Sequence, residues 1–230
     1  MRLMKVILLG LLLTIATVLG DELADAKAKF ATQDKALNTT YGKLKAELPQ
    51  ELFAEVQEDQ RSWVEYRNYM SEGQAHGEEA DKSLDRWKMA ADMTEERIKW
   101  LAAWKAIDKR KGWAGSYSDG RGGLLQVIEK NGETWFLLSV VRGPSFHIGE
   151  IGGKLRVNGQ TAWFETKAEG EDKPTWLTLV EQNSHPGRVQ VFPENAQSFH
   201  GARAYFDGSY LWTGTLSAEE QKQALEEIKK

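Results

Sequence analysis

The sequence predicts an α+β protein: an N-terminal antiparallel three-helix bundle followed by an antiparallel β-barrel or β-sandwich. Three observations carry this. Apolar residues recur at helical period before Gly112 and at strand period after it. Pro49 is the only proline between residues 21 and 111, and glycine occurs there only at 42, 73 and 77, whereas the other four prolines lie beyond Gly112. Asn131-Gly132 and Asn158-Gly159 each separate two strand-like runs, and Asn-Gly suits the positive φ angles of a tight hairpin turn. The organisation that follows is a segment 1–20, a helical unit 21–111, a β unit 112–216 and a C-terminal helix 217–230.

Residues 1–20 read as an export signal. Arg2 and Lys5 precede the apolar run Val6–Leu13, and Val18 and Gly20 are small enough for a cleavage site, which puts the mature start near Asp21. The run is short for a spanning helix, and no transmembrane segment is expected after signal cleavage. The expected location is periplasmic or secreted. Removing Arg2 and Lys5 from the 30 basic residues leaves 28 against 34 acidic ones, a formal charge of −6. An acidic balance argues against nucleic acid as a partner. The chain has no cysteine, which excludes disulfides, thiolate metal sites and cysteine nucleophiles. Stability must then come from core packing, for which nine tryptophans, six tyrosines and eight phenylalanines supply large buried areas.

The first helix is expected over about 22–47, because Phe30, Leu37, Tyr41, Leu44 and Leu48 fall on one face. Pro49 suits the first turn of a second helix running to about Met70, with Leu52, Val56, Trp63, Arg67 and Met70 on its inner stripe. A third helix is expected from about Glu78 to Asp108, with Leu84, Trp87, Ala91, Thr94, Ile98 and Leu101 inward and Trp100 and Trp104 broadening the face. The β unit is expected to hold seven to nine strands. They include 124–129, 134–141, 154–157, 161–168, 175–181 and 187–192, and a hairpin that turns at Asp207-Gly208 between Ala204–Phe206 and Ser209–Trp212. Ser217 reads as the cap of the last helix, with Glu219 and Glu220 in its first turn.

Catalytic chemistry finds little support. There is no G-x-S-x-G elbow, and Ser145, Ser184 and Ser198, the serines near histidine, fall on expected loops or strand edges. Glu150, Glu165 and Asp207 are carboxylates whose ordinary fate is solvation. His147 and His200, in the echoing runs Phe146–Gly149 and Phe199–Gly201, are the metal-ligand candidates, with Glu150 as a third ligand for such a site, and no H-x-H or H-E-x-x-H accompanies them. No metal, cofactor or catalytic residue is therefore assigned. The glycines of Asp119-Gly120-Arg121-Gly122-Gly123 read as a hairpin loop, since no helix with a phosphate-binding lysine follows.

The helical half carries three spaced motifs. Asp34, Leu37, Asn38, Tyr41 and Leu44 form D-x-x-L-N-x-x-Y-x-x-L; Gln60, Trp63, Tyr66 and Arg67 form Q-x-x-W-x-x-Y-R; Thr94, Arg97 and Leu101 form T-x-x-R-x-x-x-L. This half, over about 22–105, resembles the N-terminal domain family of LprI-type lysozyme inhibitors. The resemblance implies a helical fold and lysozyme as partner; similar proteins carry cysteines that bridge these helices, which this chain lacks. In the β half, Gly115-Ser116-Tyr117, the run His147, Gly149, Ile151, Gly153, the pair Ala162 and Phe164, and Phe206–Tyr210 resemble a small β-module that follows such domains in exported bacterial proteins.

Inward-facing Asn38, Gln60 and Arg67 each need a hydrogen-bond partner or cost about 1–3 kcal/mol. A polar clasp, with Asp34 or Asn38 meeting Arg67, answers that need; the alternative is Arg67 at an exposed edge, contacting a partner. The stretch from Glu165 to Asp172 holds four acids against one lysine, and Glu169, Glu171 and Asp172 are the candidate contacts for a basic protein such as lysozyme. The reading at this point is an exported non-catalytic binding protein that blocks a lysozyme cleft. The alternative is an envelope structural or glycan- or peptide-binding module, in which Trp135, Trp163, Trp176 and Trp212 stack on peptidoglycan fragments.

Overall fold

A computed structural model describes residues 2–105, 110–182 and 187–229, with side chains from Asp21 onward. Among the described residues three α-helices come first: α1 (Arg2–Glu47), α2 (Gln50–Glu72) and α3 (Leu84–Ala103). Eight strands follow: β1 (Gly115–Ser118), β2 (Gly123–Lys130), β3 (Glu133–Arg142), β4 (His147–Asn158), β5 (Thr161–Thr166), β6 (Thr175–Glu181), β7 (Arg188–Glu194) and β8 (Gly208–Gly214). Helix α4 (Ala218–Glu227) ends the chain. Every strand pairs antiparallel with its sequence neighbour, and β8 pairs with β1, so the sheet closes into an up-and-down barrel and not a sandwich. Among the described residues no helix is long and apolar enough to cross a membrane.

Eight strands enclose an interior that side chains can fill. Tyr117, Leu125, Phe136, Leu138, Leu177, Val189, Phe206 and Tyr210 are among those that fill it here. The glycines of the β4 motif have a packing reason. A Cβ at Gly153 would stand 2.2 Å from the Phe164 ring, and one at Gly149 would stand 2.5 Å from His200 Cβ and 3.2 Å from the Phe206 ring. Other motif residues close the interior: the Tyr117 hydroxyl donates to the Trp113 carbonyl at 2.6 Å, and that of Tyr210 to the Phe206 carbonyl at 3.0 Å.

In the helical half, α3 packs along α1 and less extensively against α2, while α1 and α2 share few contacts. Leu37, Leu44, Phe53, Val56, Trp63, Trp100, Leu101 and Trp104 form its core, and Leu211 of β8 joins the same cluster. The helices thus sit directly on the barrel wall.

Several elements depart from expectation. Helix α1 begins at Arg2, some twenty residues before the expected start. Helix α3 begins at Leu84, not Glu78, because His76 and Gly77 take positive φ and Ser83 then caps the helix by accepting from the Arg86 N–H. Its expected end near Asp108 lies outside the described residues. The loop after β4 is Gly159-Gln160, not Asn158-Gly159: Asn158 pairs with Thr161, and Gly159 alone takes the positive φ. Asn131-Gly132 does form the expected turn, at φ 55° and 78°. Ala204–Phe206 is not a strand. It follows a short 3-10 turn at Gln197–Phe199 and crosses the barrel end, where Ala204 and Phe206 are buried as a plug. Arg142 Nε reaches the Tyr205 carbonyl there, and no ladder bond does.

Candidate functional site

The motif residues of the helical half converge on two buried arginines. Arg67 on α2, 8% exposed, donates from Nη1 to Asp34 Oδ1 of α1 at 3.0 Å and to Thr94 Oγ1 of α3 at 3.4 Å. Arg97 on α3, 1% exposed, donates to Gln60 Oε1 at 2.8 Å and to Asp59 Oδ2 at 2.5 Å. Trp63 lies between them, its ring 5.4 Å from the Arg67 guanidinium and 5.2 Å from that of Arg97. Asn38 does not touch Arg67; it donates to Asp34 at 3.2 Å. Asp34, Gln60, Arg67, Thr94 and Arg97 therefore form one cross-helix clasp. Reading the sequence for the inner stripe of α3 passed over Arg97, although the T-x-x-R spacing puts it one turn from Thr94.

Asp59 extends this clasp to the barrel. Its second oxygen takes Arg121 Nη1 at 2.8 Å, and Arg121 Nη2 reaches Ser62 Oγ at 2.7 Å. Burial would raise the Asp59 pKa, but Arg97 and Arg121 outweigh it and hold the carboxyl below its ordinary value. Burial lowers the Arg97 pKa to about 10, against the pull of Asp59, which leaves it charged at neutral pH. Arg121 belongs to the glycine-rich loop between β1 and β2. The Asp119 carboxylate shapes that loop by accepting from the N–H groups of Arg121 and Gly123. Its other oxygen pairs with Arg142 at 2.6 Å, and Arg142 is 2% exposed. Burial works against the Arg142 charge, yet Asp119 raises its pKa. Burial also pushes the Tyr210 phenol above its usual value, so it stays a neutral donor. Further ties between the halves run from Tyr66 Oη to the Arg121 carbonyl, from Trp100 Nε1 to the Ser118 carbonyl, and from Arg188 to Glu55.

The acidic loop joins β5 to β6. Glu169, Glu171 and Asp172 are exposed, with the turn at Gly170 at φ 83°. The loop is tethered: Ser198 Oγ donates to the Glu171 carboxylate, Asn195 Nδ2 donates to the Pro174 carbonyl at 3.1 Å, and Thr175 Oγ1 donates to the Asn195 carbonyl at 2.6 Å. It presents three carboxylates on a held frame, flanked by exposed Lys167 and Lys173. It lies on the barrel, whereas Arg67 is buried among the helices.

The remaining candidates scatter. His200 bridges to Gly149 on β4 and stands edge-on to Phe206, close in the backbone to His147. Among the described residues no group of three or more His, Cys, Asp and Glu could hold a metal ion. Glu150 faces Ser139 across β3 and β4, Glu165 faces Trp176 across β5 and β6, and Asp207 precedes β8. Ser145 is exposed in the β3–β4 turn, and Ser184 lies outside the described residues. Two of the four proposed stacking tryptophans are not available to a ligand in the way supposed: Trp212 is in the barrel core at 4% exposed, and Trp135 packs with Leu225 and Ile228 beneath α4.

No curated protein and no solved structure matches the chain. Residues 20–101, which take in α2, most of α1 and α3 and both arginines of the clasp, match the family model described as lysozyme inhibitor LprI.

Proposed function

We propose that the chain is an exported, non-catalytic binding protein that inhibits a lysozyme. The observation that carries this is the match of residues 20–101 to the lysozyme inhibitor family. Export through Met1–Gly20 with cleavage near Asp21 fits the positive start and apolar run of that segment. The clasp residues face one another across the helices, so they support the fold. The barrel supplies the exposed charge: the held β5–β6 loop offers Glu169, Glu171 and Asp172 to a basic enzyme, and the net negative charge of the chain steers the encounter. Inhibition then follows from the loop standing in the substrate cleft, with no bond made or broken.

The test is a turbidity assay on bacterial cell walls, with several lysozyme types and the mature protein at micromolar concentration. Slower clearing is expected, with about a tenfold weaker effect for the triple variant E169Q/E171Q/D172N. Unchanged clearing with every lysozyme sinks the function; unchanged inhibition by the triple variant moves the contact away from the loop.

A further inference from the structure

The β5–β7 wall of the barrel carries an aromatic face that the clasp, the acidic loop and the helix contacts leave unused. Inward positions on these strands are Ala162, Leu177, Leu179, Val189 and Val191, all in the core. Alternation therefore turns Trp163, Trp176, Thr178 and Phe192 outward. The register places them together. Trp163 pairs with Thr178 and Thr178 with Phe192, so two rings flank one small hydroxyl. Trp176 is two residues from Thr178 along β6. Phe192 is 54% exposed, and Trp163 and Trp176 are half-buried.

These rings are unclaimed. Trp63, Trp87, Trp100, Trp104 and Trp113 all stack against an arginine, a lysine or another ring, whereas Trp163, Trp176 and Phe192 have no such partner among the described residues. Neither indole N–H has an acceptor among the described residues, and neither is buried away from water. Helix α3 packs against β8 and α4 against β3, which leaves β5 and β6 without an extensive helix contact. Polar groups ring the face. Arg156 pairs in register with Trp163, and Glu165 and Glu194 lie either side of Trp176. None of the three holds an ion pair or hydrogen bond among the described residues. Beside Phe192 an open cavity of about 560 Å³ continues the face, lined in part by Gln182, Arg188 and Gln190.

We infer that this face binds an extended β-1,4-linked glycan. A pyranose ring has an apolar C–H face and a rim of hydroxyls. It lies flat on an indole and needs donors and acceptors at its edge, and this wall supplies both. Trp163 and Phe192 sit two strands apart, about 9.5 Å, close to one disaccharide repeat of such a glycan, so alternate sugars meet alternate rings. A peptide partner has less to recognise. The barrel is closed and offers no edge strand for a peptide to extend. The carboxylates of Glu165 and Glu194 beside Trp176 repel an anionic membrane surface.

The experiment uses the mature chain with chitohexaose and cellohexaose, read by the indole N–H signals of its nine tryptophans in a heteronuclear NMR titration. The signals of Trp163 and Trp176, assigned from W163F and W176F, are expected to shift and saturate. Saturation by chitohexaose alone identifies an N-acetylated strand; saturation by both identifies the shared β-1,4 backbone. The double variant W163A/W176A is expected to lose at least tenfold in affinity with an unchanged circular dichroism spectrum. F192A, at the most exposed of the three rings, gives the second variant should the double one fail to fold. No shift with either sugar at millimolar concentration, shifts confined to other tryptophans, undiminished binding by the variants, or equal shifts from a peptidoglycan stem peptide without sugar would each overturn the inference. Turbidity measured on the unsubstituted mature chain separates the two functions: lysozyme inhibition with no glycan binding overturns only the glycan face, and glycan binding with no inhibition overturns only the inhibitor reading.

Discussion

In the helical half the polar groups at the centre are arginines stacked on Trp63, tied to carboxylates and an amide on the neighbouring helices. In the barrel the centre is Tyr, Phe, Leu, Ile and Val, and the one buried ion pair described there, Asp119 with Arg142, sits beside the β1–β2 loop. The difference follows from architecture. A closed ladder satisfies its own backbone and hides a continuous apolar interior. Three helices, of which α1 and α2 hardly meet, enclose too little apolar surface to be fixed by it alone. A guanidinium reaches across that gap, donating in several directions while its flat face covers an indole. With no cysteine in the chain, the ties between helices are ionic, and the helical half should respond to charge and pH at its centre, whereas the barrel interior responds to volume and its charge dependence is concentrated at the Asp119–Arg142 pair.

The largest effect that would break this contrast is at the barrel's own ion pair. R142M leaves the Asp119 carboxylate, 10% exposed, with the Arg121 and Gly123 N–H groups but without the ion-pair partner on its other oxygen. Removing one partner of so dry a pair costs about 3–5 kcal/mol, expected as a large drop in the thermal midpoint of the whole chain. A loss under about 1 kcal/mol would mean that the Arg142 charge is unimportant to the barrel. R97M should cost less, about 2–3 kcal/mol, because Asp59 is 29% exposed and keeps Arg121. Hydrogen exchange should locate this loss in α1–α3 while β2–β7 stay protected. Exchange that rises equally in both halves would show that they unfold as one unit.

Acid should sharpen the contrast further. The folded pKa of Asp59 lies below its ordinary 3.8, so its charge stabilises the folded state. That contribution is complete above about pH 5 and is lost as pH falls below the unfolded value and through the folded one. A denaturation series from pH 6 to pH 2 should show the helical half weakening at the acid end, and D59N should flatten that part of the curve. An identical acid slope in D59N would assign the dependence to other carboxylates.

The sequence exposed periodic features and hid relational ones. Strands β2, β3, β6 and β7 were legible from alternation, and Asn131-Gly132 from its turn chemistry, because both are local. Ala204–Phe206 alternates like a strand but crosses the barrel end, a role set by Phe206 filling the interior and not by its neighbours in sequence. Arg121 read as part of a glycine loop, and Asp59 and Glu55 lie off the inner stripe of the second helix and drew no reading. Only the docking of α2 and α3 on the barrel makes them a junction. The acidic loop was legible as a charge run, whereas its anchoring by Asn195 and Ser198 was not. The pairing of Trp163 and Phe192 through Thr178 needs the register, and no single-strand pattern contains it.

The smallest effect bears on what the motif residues are for. Asp34 is 38% exposed at its side chain, so water already screens its pair with Arg67. D34N keeps the shape and should cost under about 1 kcal/mol. R67L removes a group that is 10% exposed and covers both Phe30 and Trp63, so it should cost clearly more than D34N. The ratio is the informative quantity. If Arg67 acts through its stacking and the Thr94 contact, R67L lowers the thermal midpoint while R67K recovers only part of it, since an ammonium cannot both stack and fork. If Arg67 instead serves a partner, D34N and R67L both leave the midpoint unchanged and both abolish lysozyme binding, and the cross-helix clasp ceases to explain why these residue types stand together.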